Sequence, residues 1–132
     1  MDEHGSVSPA LILVLVGGLA ALALAVELGR FASAAREVAY AADTGAEAGA
    51  ARIDPAAAYG GEIRLNPAEA RAVAIRGARR ARGRTGRWIE ATADEGQVCV
   101  TVGRTVEPGL LRVFAVGPWD VSASACAEPR VG

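Results

Sequence analysis

Two cysteines are the residues best suited to covalent chemistry in this chain of 132 residues. Cys99 and Cys126 lie 27 positions apart, whereas zinc sites use close pairs of ligands. The single histidine, His4, stands far from both, so the sequence predicts no metal site and no cofactor. Both cysteines fall on the more polar side of alternating segments and would face each other if those segments were neighbouring strands. They form either a disulfide or two separate buried thiols, and an exported domain favours the disulfide.

A cluster of arginines is the second group with chemical potential. Its six members lie within twelve residues: Arg76, Arg79, Arg80, Arg82, Arg84 and Arg87. Such a cluster binds anions, complements the dipole at a helix end, or pairs with acidic residues of a neighbouring subunit. The chain has 14 basic and 15 acidic residues, and only Trp88 is near enough to stack on a base. These features favour a solvated helix end over a nucleic-acid site.

No set of residues suited to catalysis accompanies these groups. The sequence has no Ser/His/Asp set, no glycine-rich phosphate loop after a strand, and no paired carboxylates beside a plausible cleft. We therefore expect the chain not to be an enzyme and its function to depend on contacts with other molecules.

An uncharged apolar segment spans residues 10–26 and precedes both the arginine cluster and the cysteines, so it determines where these groups lie relative to a membrane. It is long enough to span roughly 26 Å as a helix, close to the thickness of the hydrocarbon core. We predict a leader and flank at 1–9, a transmembrane helix at 10–28 and an extracytoplasmic α+β domain at 29–132. Glu27, at the end of the segment, is expected at the membrane interface. A cleaved secretory signal is the alternative, but the acidic start and the length of the segment argue against it.

The signals for orientation disagree. Asp2 and Glu3 precede the apolar segment, whereas Arg30 and Arg36 follow it, so the positive-inside rule places the C-terminal side in the cytoplasm. The cysteines favour a domain outside the cytoplasm, and we follow them because the charge difference is small.

Small residues mark two faces along one continuous helix that we predict to reach residue 53. In the membrane segment, Gly17, Ala21 and Ala25 recur every four residues, a spacing that lets helices approach closely in lipid, although an alanine-rich helix also shows it by chance. Beyond it runs a seam of the a/d type, formed by Leu28, Phe31, Ala35, Val38, Ala42, Gly45 and Gly49. We expect both faces to pack against other subunits.

The rest of the chain predicts a second helix followed by about three strands. A loop at 56–65 precedes a helix start at Asn66, with the helix end expected near Gly83. Alternation of period two then predicts antiparallel strands over 87–93, 97–105 and 119–127, the first two joined by a tight hairpin. The apolar connection at 107–114 is expected to be a short helix, or a loop packed on the sheet or the membrane surface. The fold class is α+β.

Several segments taken in order resemble the TadE/TadG-like proteins of tight-adherence (Flp-type) pilus systems. The segments that carry the resemblance are Gly5-Ser6-Val7-Ser8, Glu27-Leu28-Gly29-Arg30, Val98-Cys99-Val100-Thr101-Val102, Pro108-Gly109-Leu110-Leu111 and the strand that starts at Trp119. The resemblance implies a pilin-like fold and a minor pilin or pseudopilin-like component in the cell membrane. It also implies an exported C-terminal domain that acts by packing with other pilus or secretion-apparatus subunits, and incorporation in a pilus.

The resemblance further implies a prepilin peptidase as a partner, cutting between Gly5 and Ser6. The family's usual Glu at the fifth residue after the cut is replaced by Ala10, which favours an anchored accessory subunit. Two other interpretations stay open. One is a bitopic envelope protein that binds an acidic polymer or nucleic acid through residues 76–87, and the other is a small secreted protein with a disulfide.

Overall fold

The structure is a computed structural model that describes residues 9–81 and 88–130. This part of the chain contains three α-helices, a three-stranded antiparallel sheet and a short 3-10 helix that we label η1. In chain order the elements are α1 Pro9–Ala50, α2 Pro55–Tyr59, α3 Pro67–Ala81, β1 Ile89–Ala93, β2 Val98–Val106, η1 Leu110–Phe114 and β3 Trp119–Ala127. The predicted α+β fold class with a long N-terminal helix is therefore confirmed.

α1 is one uninterrupted helix of 42 residues, which corresponds to a length of about 63 Å. No proline after Pro9 interrupts it. The helix ends at Ala50 rather than at the predicted residue 53. The reason is that Ile53 pairs with Leu65 in an isolated antiparallel bridge.

A short helix, α2, occupies part of the segment where the sequence predicts a loop. Asp54 has extended backbone angles, and its Oδ1 accepts a hydrogen bond from the N–H of Ala56 at 3.0 Å. Pro55 then fills the first helical position. Asp54 and Pro55 therefore start a new helix, and the prediction of a loop over 56–65 is wrong at residues 56–59.

Two polar side chains set the boundaries of α3 and of the β1–β2 hairpin, as the sequence predicts. The Oδ1 atom of Asn66 accepts the N–H of Glu69 at 3.3 Å at the start of α3. In the hairpin, Asp94 Oδ1 accepts the N–H groups of Gly96 at 2.7 Å and Gln97 at 2.8 Å. Each bond satisfies a backbone donor that the element itself leaves free.

β2 is the central strand and pairs antiparallel with both β1 and β3. Val98, Val100 and Val102 point from β2 toward the helices and are fully buried. Residues of the other parity lie on the outer face, where Cys99 stands directly opposite Cys126. The alternation predicted for this strand is therefore confirmed, with one face in the core and one toward solvent.

The backbones of α1 and α3 approach closely because glycines of α1 face alanines of α3. A Cβ atom added at Gly45 would lie 2.9 Å from the carbonyl oxygen of Ala74 and 2.9 Å from the Cβ of Ala78. One turn further along, a Cβ at Gly49 would lie 2.9 Å from the carbonyl oxygen of Ala70. Real Cβ atoms do not approach a backbone oxygen so closely, so a larger residue at either glycine would push the helices apart.

Gly45→Ala is expected to lower the melting temperature of the full chain in detergent micelles, although alanine favours a helix over glycine by about 1 kcal/mol. The added methyl group separates α1 from α3, and overpacking of this kind costs about 1–3 kcal/mol. Gly29→Ala is the matched control in the same helix, because a Cβ there meets no atom within 4 Å. Melting temperatures that rise equally for the two variants would contradict the close packing.

Candidate functional site on the long helix

The first part of α1, residues 9–26, extends away from the rest of the chain, and we call it the apolar half. Its large apolar side chains are each at least 50% exposed: Leu11, Ile12, Leu13, Val14, Leu15, Val16, Leu19, Leu22, Leu24 and Val26. In the described part of the chain, α1 is the one helix long and apolar enough to cross a membrane, judged by length and composition. The apolar half is therefore not a core helix of its own domain, and a surface of this kind marks a contact with lipid or protein.

The small-residue face and the a/d seam have different surroundings. Gly17, Ala21 and Ala25 are exposed, and nothing lies within 4 Å of a Cβ built at Gly17. Val38 and Ala42 are fully buried in the core of the same chain. This part of the seam cannot contact another subunit, because α3 and the sheet already cover it.

The remaining seam residues lie between these two regions. Leu28 is exposed, and Ala35 is half-buried. Phe31 packs edge-on against the ring of Trp119, with the ring centroids 6.2 Å apart. Only the part of the predicted seam nearest the apolar half is therefore open to a neighbour.

Glu27 joins α1 to η1 immediately after the apolar half. Its side chain is only 3% exposed, and its Oε1 accepts a hydrogen bond from the N–H of Leu110 at 2.5 Å. The guanidinium of Arg30 lies 4.0 Å from the same oxygen. A Cβ at Gly109 would overlap a guanidinium nitrogen of Arg30 and lie 2.9 Å from Glu27 Oε1, so a larger residue there would have to displace these two side chains. The sequence predicts a carboxylate at the membrane interface here, but it does not predict that this carboxylate is buried against η1. The local sequence feature that hints at the contact is Pro108-Gly109, directly before η1.

An ion pair between residues far apart in the sequence links β2 to α1. Arg104 has the inward parity of the buried valines in β2, and its guanidinium donates to the carboxylate of Glu37 on α1. Both side chains are partly buried, and Arg104 Nε is buried without a hydrogen-bond partner in the described part of the chain. This pair was not predicted from the sequence. A charged residue in an otherwise apolar alternation was the signal that could have revealed it.

The arginine cluster is described only in part. Arg76, Arg79 and Arg80 are exposed near the end of α3, and none of them is in a salt bridge among residues 9–81 and 88–130. The rest of the cluster, the predicted helix end and the predicted cleavage site lie outside the described residues: Arg82, Arg84, Arg87, Gly83, Gly5 and Ser6.

Trp88 packs on the outer face of the sheet. A Cβ added at Gly103 would overlap the Trp88 ring, and the N–H of Gly103 donates to the Trp88 carbonyl oxygen at 3.1 Å. The ring therefore covers a strand glycine and stabilises the sheet locally.

Cys99 and Cys126 form a disulfide between β2 and β3. It lies on the outer face beside a hydrogen bond of 2.8 Å between the hydroxyl groups of Thr101 and Ser124. Cys126 is exposed and Cys99 is half-buried, so the bond lies at the surface of the domain. The disulfide interpretation of the two cysteines is therefore confirmed.

A cleft of about 610 Å³ lies between the end of α1 and β3. The charged residues along it are Asp43, Glu47, Glu128 and Arg130. Among the described residues that line it there is no serine, histidine or free thiol, because Cys126 is bonded to its partner. The lining residues therefore include no pair of nucleophile and base.

Comparison of the chain with protein-family models, with curated proteins and with solved structures found no match in any of the three. The resemblance to TadE/TadG-like proteins accordingly stays a hypothesis drawn from the residues themselves.

Glu27→Leu is expected to destabilise the full chain in micelles by about 1–3 kcal/mol, because the N–H of Leu110 loses the acceptor that the buried Glu27 side chain supplies. Glu27→Gln is the matched control, since its amide oxygen still accepts the bond. Hydrogen exchange of Leu110–Phe114 checks this: the amides should exchange faster in the Leu variant than in the Gln variant. Equal protection in both variants and in the wild type would show that the contact does not hold η1.

Alkylation of the denatured chain without a reductant is expected to label neither cysteine, and reduction should expose two thiols. Replacing Cys99 and Cys126 together by serine should cost about 3 kcal/mol of stability, because the disulfide no longer closes its loop in the unfolded chain. Intact mass and thermal melting measure the two effects. Labelling before reduction would contradict the bonded pair.

Proposed function

We propose that this chain is a membrane-anchored minor pilin or pseudopilin-like component of a bacterial tight-adherence (Flp-type) pilus or a related secretion apparatus. The observation that carries the proposal is that the two halves of α1 have different surroundings. One continuous helix presents an apolar half that no other described part of the chain covers, while its remaining half forms the core of a small α+β domain. Such a helix links a membrane or a filament core rigidly to an exported domain.

The exposed side chains of the apolar half support membrane anchoring. Burying one large aliphatic side chain contributes about 1.5–3 kcal/mol of favourable free energy. The apolar half carries many such side chains and no charged residue. The gain strongly favours transfer from water into a bilayer or onto the helix of another subunit.

The disulfide supports an extracytoplasmic location for the domain. A disulfide at the surface of a domain is exposed to cellular reductants and persists in an oxidising compartment. The cysteines lie on exposed and half-buried strand positions, beyond the end of the apolar half. In the proposed orientation the apolar half crosses the cell membrane and the domain lies outside the cytoplasm.

The free faces of α1 indicate where other subunits bind. Val38 and Ala42 are used within the chain, whereas Gly17, Ala21 and Ala25 are free and allow close approach of a second helix. We place the subunit contact on this small-residue face, in the membrane.

Photocrosslinking in native membranes tests this placement. A diazirine-bearing amino acid replaces Ala21 in one variant and Leu19 in the matched control, which lies about 200° away around the helix. We expect the Ala21 variant to form an adduct with another protein that has an apolar N-terminal helix and belongs to the pilus or secretion apparatus. The Leu19 variant should label lipid.

Two results would overturn the proposal. One is labelling of lipid alone at both positions in cells that assemble the apparatus, which would leave a membrane protein without a helix partner. The other is recovery of the chain in the soluble exported fraction, which would favour the secreted alternative.

A further inference from the structure

η1 exposes apolar side chains where a small domain would be expected to cover them. The side chains of Leu110, Val113 and Phe114 are 51%, 83% and 72% exposed. Ala115 ends η1 with a left-handed backbone conformation, at a φ of 57°. Its N–H donates a hydrogen bond of 3.1 Å to the carbonyl oxygen of Arg112. The apolar residues are therefore presented on a single compact turn, not on an extended loop.

The position of η1 along α1 is fixed by the bond from Leu110 to Glu27. Glu27 follows Val26, the last residue of the apolar half, directly. The start of η1 therefore lies at the level where the apolar half ends. If the apolar half crosses a bilayer, η1 lies at the surface of the leaflet from which α1 emerges.

Cationic side chains accompany the apolar ones at this level. Arg112 is exposed within η1, and Arg30 is about half exposed one turn beyond the apolar half. Apolar side chains with arginines beside them are typical of elements that lie in the interface of a membrane, where phosphate groups meet acyl chains.

We propose that η1 is a membrane-interface element, and that Leu110, Val113 and Phe114 insert into the headgroup region of an anionic bilayer. The proposal rests on the proposed membrane anchoring of α1 and extends it. Together with α1, η1 gives the domain two contacts with the membrane. Two contacts fix the tilt of the domain and its rotation about the helix axis, which one helix alone leaves free.

Lipid fits η1 better than a second protein does. The exposed apolar residues of η1 begin at the level where the apolar half ends, and the neighbouring guanidinium groups match lipid phosphates. The subunit contact proposed above uses a different part of α1, so both contacts are compatible.

Depth-dependent quenching in vesicles tests the proposal on the full chain. The native cysteines are bonded to each other, so one added cysteine can carry an environment-sensitive fluorophore. The probe position is Val113→Cys, and the matched control is Tyr59→Cys on α2, which is 94% exposed and follows the far end of α1. The vesicles contain phosphatidylcholine and phosphatidylglycerol, with a nitroxide quencher on the headgroup or high on the acyl chain.

We expect the nitroxide to quench the probe at Val113 at least threefold more than the probe at Tyr59. Equal quenching at the two positions would overturn the inference. So would a Val113 probe that is shielded from aqueous iodide but not quenched by the lipid nitroxide, because a second copy of the chain would then cover η1.

A third probe separates this inference from the proposed function. Leu19→Cys lies within the apolar half and should be quenched by a nitroxide deep in the acyl chain. Quenching at Leu19 without quenching at Val113 would reject the membrane-interface role of η1 and leave the anchor intact. No quenching at Leu19 would reject the anchor, and the inference on η1 with it.

Discussion

The close approach of α1 and α3 is the constraint on which the rest of the domain depends. Gly45 and Gly49 have no side chain to hold the helices apart, so the alanine face of α3 lies almost directly on the backbone of α1. The pair of helices then covers the buried valines of β2, such as Val98 and Val100. With few large side chains in the core, the domain gains its stability from contact area between small residues and from the disulfide on its outer face. The same helix thereby serves as core element and as proposed anchor.

Three contacts spaced along α1 determine how the domain is held on it. Glu27 binds η1 at the end near the apolar half, Glu37 pairs with Arg104 near the middle, and the glycine contact holds α3 toward the far end. Because these contacts are distributed along the helix, the domain cannot pivot about a single point. A displacement of α1 would therefore be transmitted to the domain as a whole, which suits the proposed role as an assembly subunit.

Local patterns predicted most of the fold. Asn66 indicates a helix start and Asp94 indicates a hairpin, because each side chain accepts hydrogen bonds from nearby backbone N–H groups. The alternation of polar and apolar residues around the two cysteines correctly predicted that both lie on one face of the sheet. The start of α2 was also encoded locally, by Asp54 and Pro55, but these residues serve equally well to end the preceding helix.

The contacts of the candidate site were harder to predict, because they join residues far apart in the sequence. Contact between Glu27 and Leu110 forms only when the sheet packs on α1, and the same holds for the ion pair between Glu37 and Arg104. The seam through Val38 has the same pattern whether it packs within the chain or against a neighbour, and only the structure distinguishes the two.

The mature N-terminus and intact mass of the protein from its native membrane fraction test the central claim, that α1 stays whole and links a membrane to the domain. A chain that starts at Met1, Asp2 or Ser6 retains the entire apolar half, and a start at Ser6 would in addition show cleavage of the prepilin type. The proposal predicts one of these starts. A chain that starts at Val26 or later has lost the apolar half, and that result would contradict the anchor and the pilin-like role together.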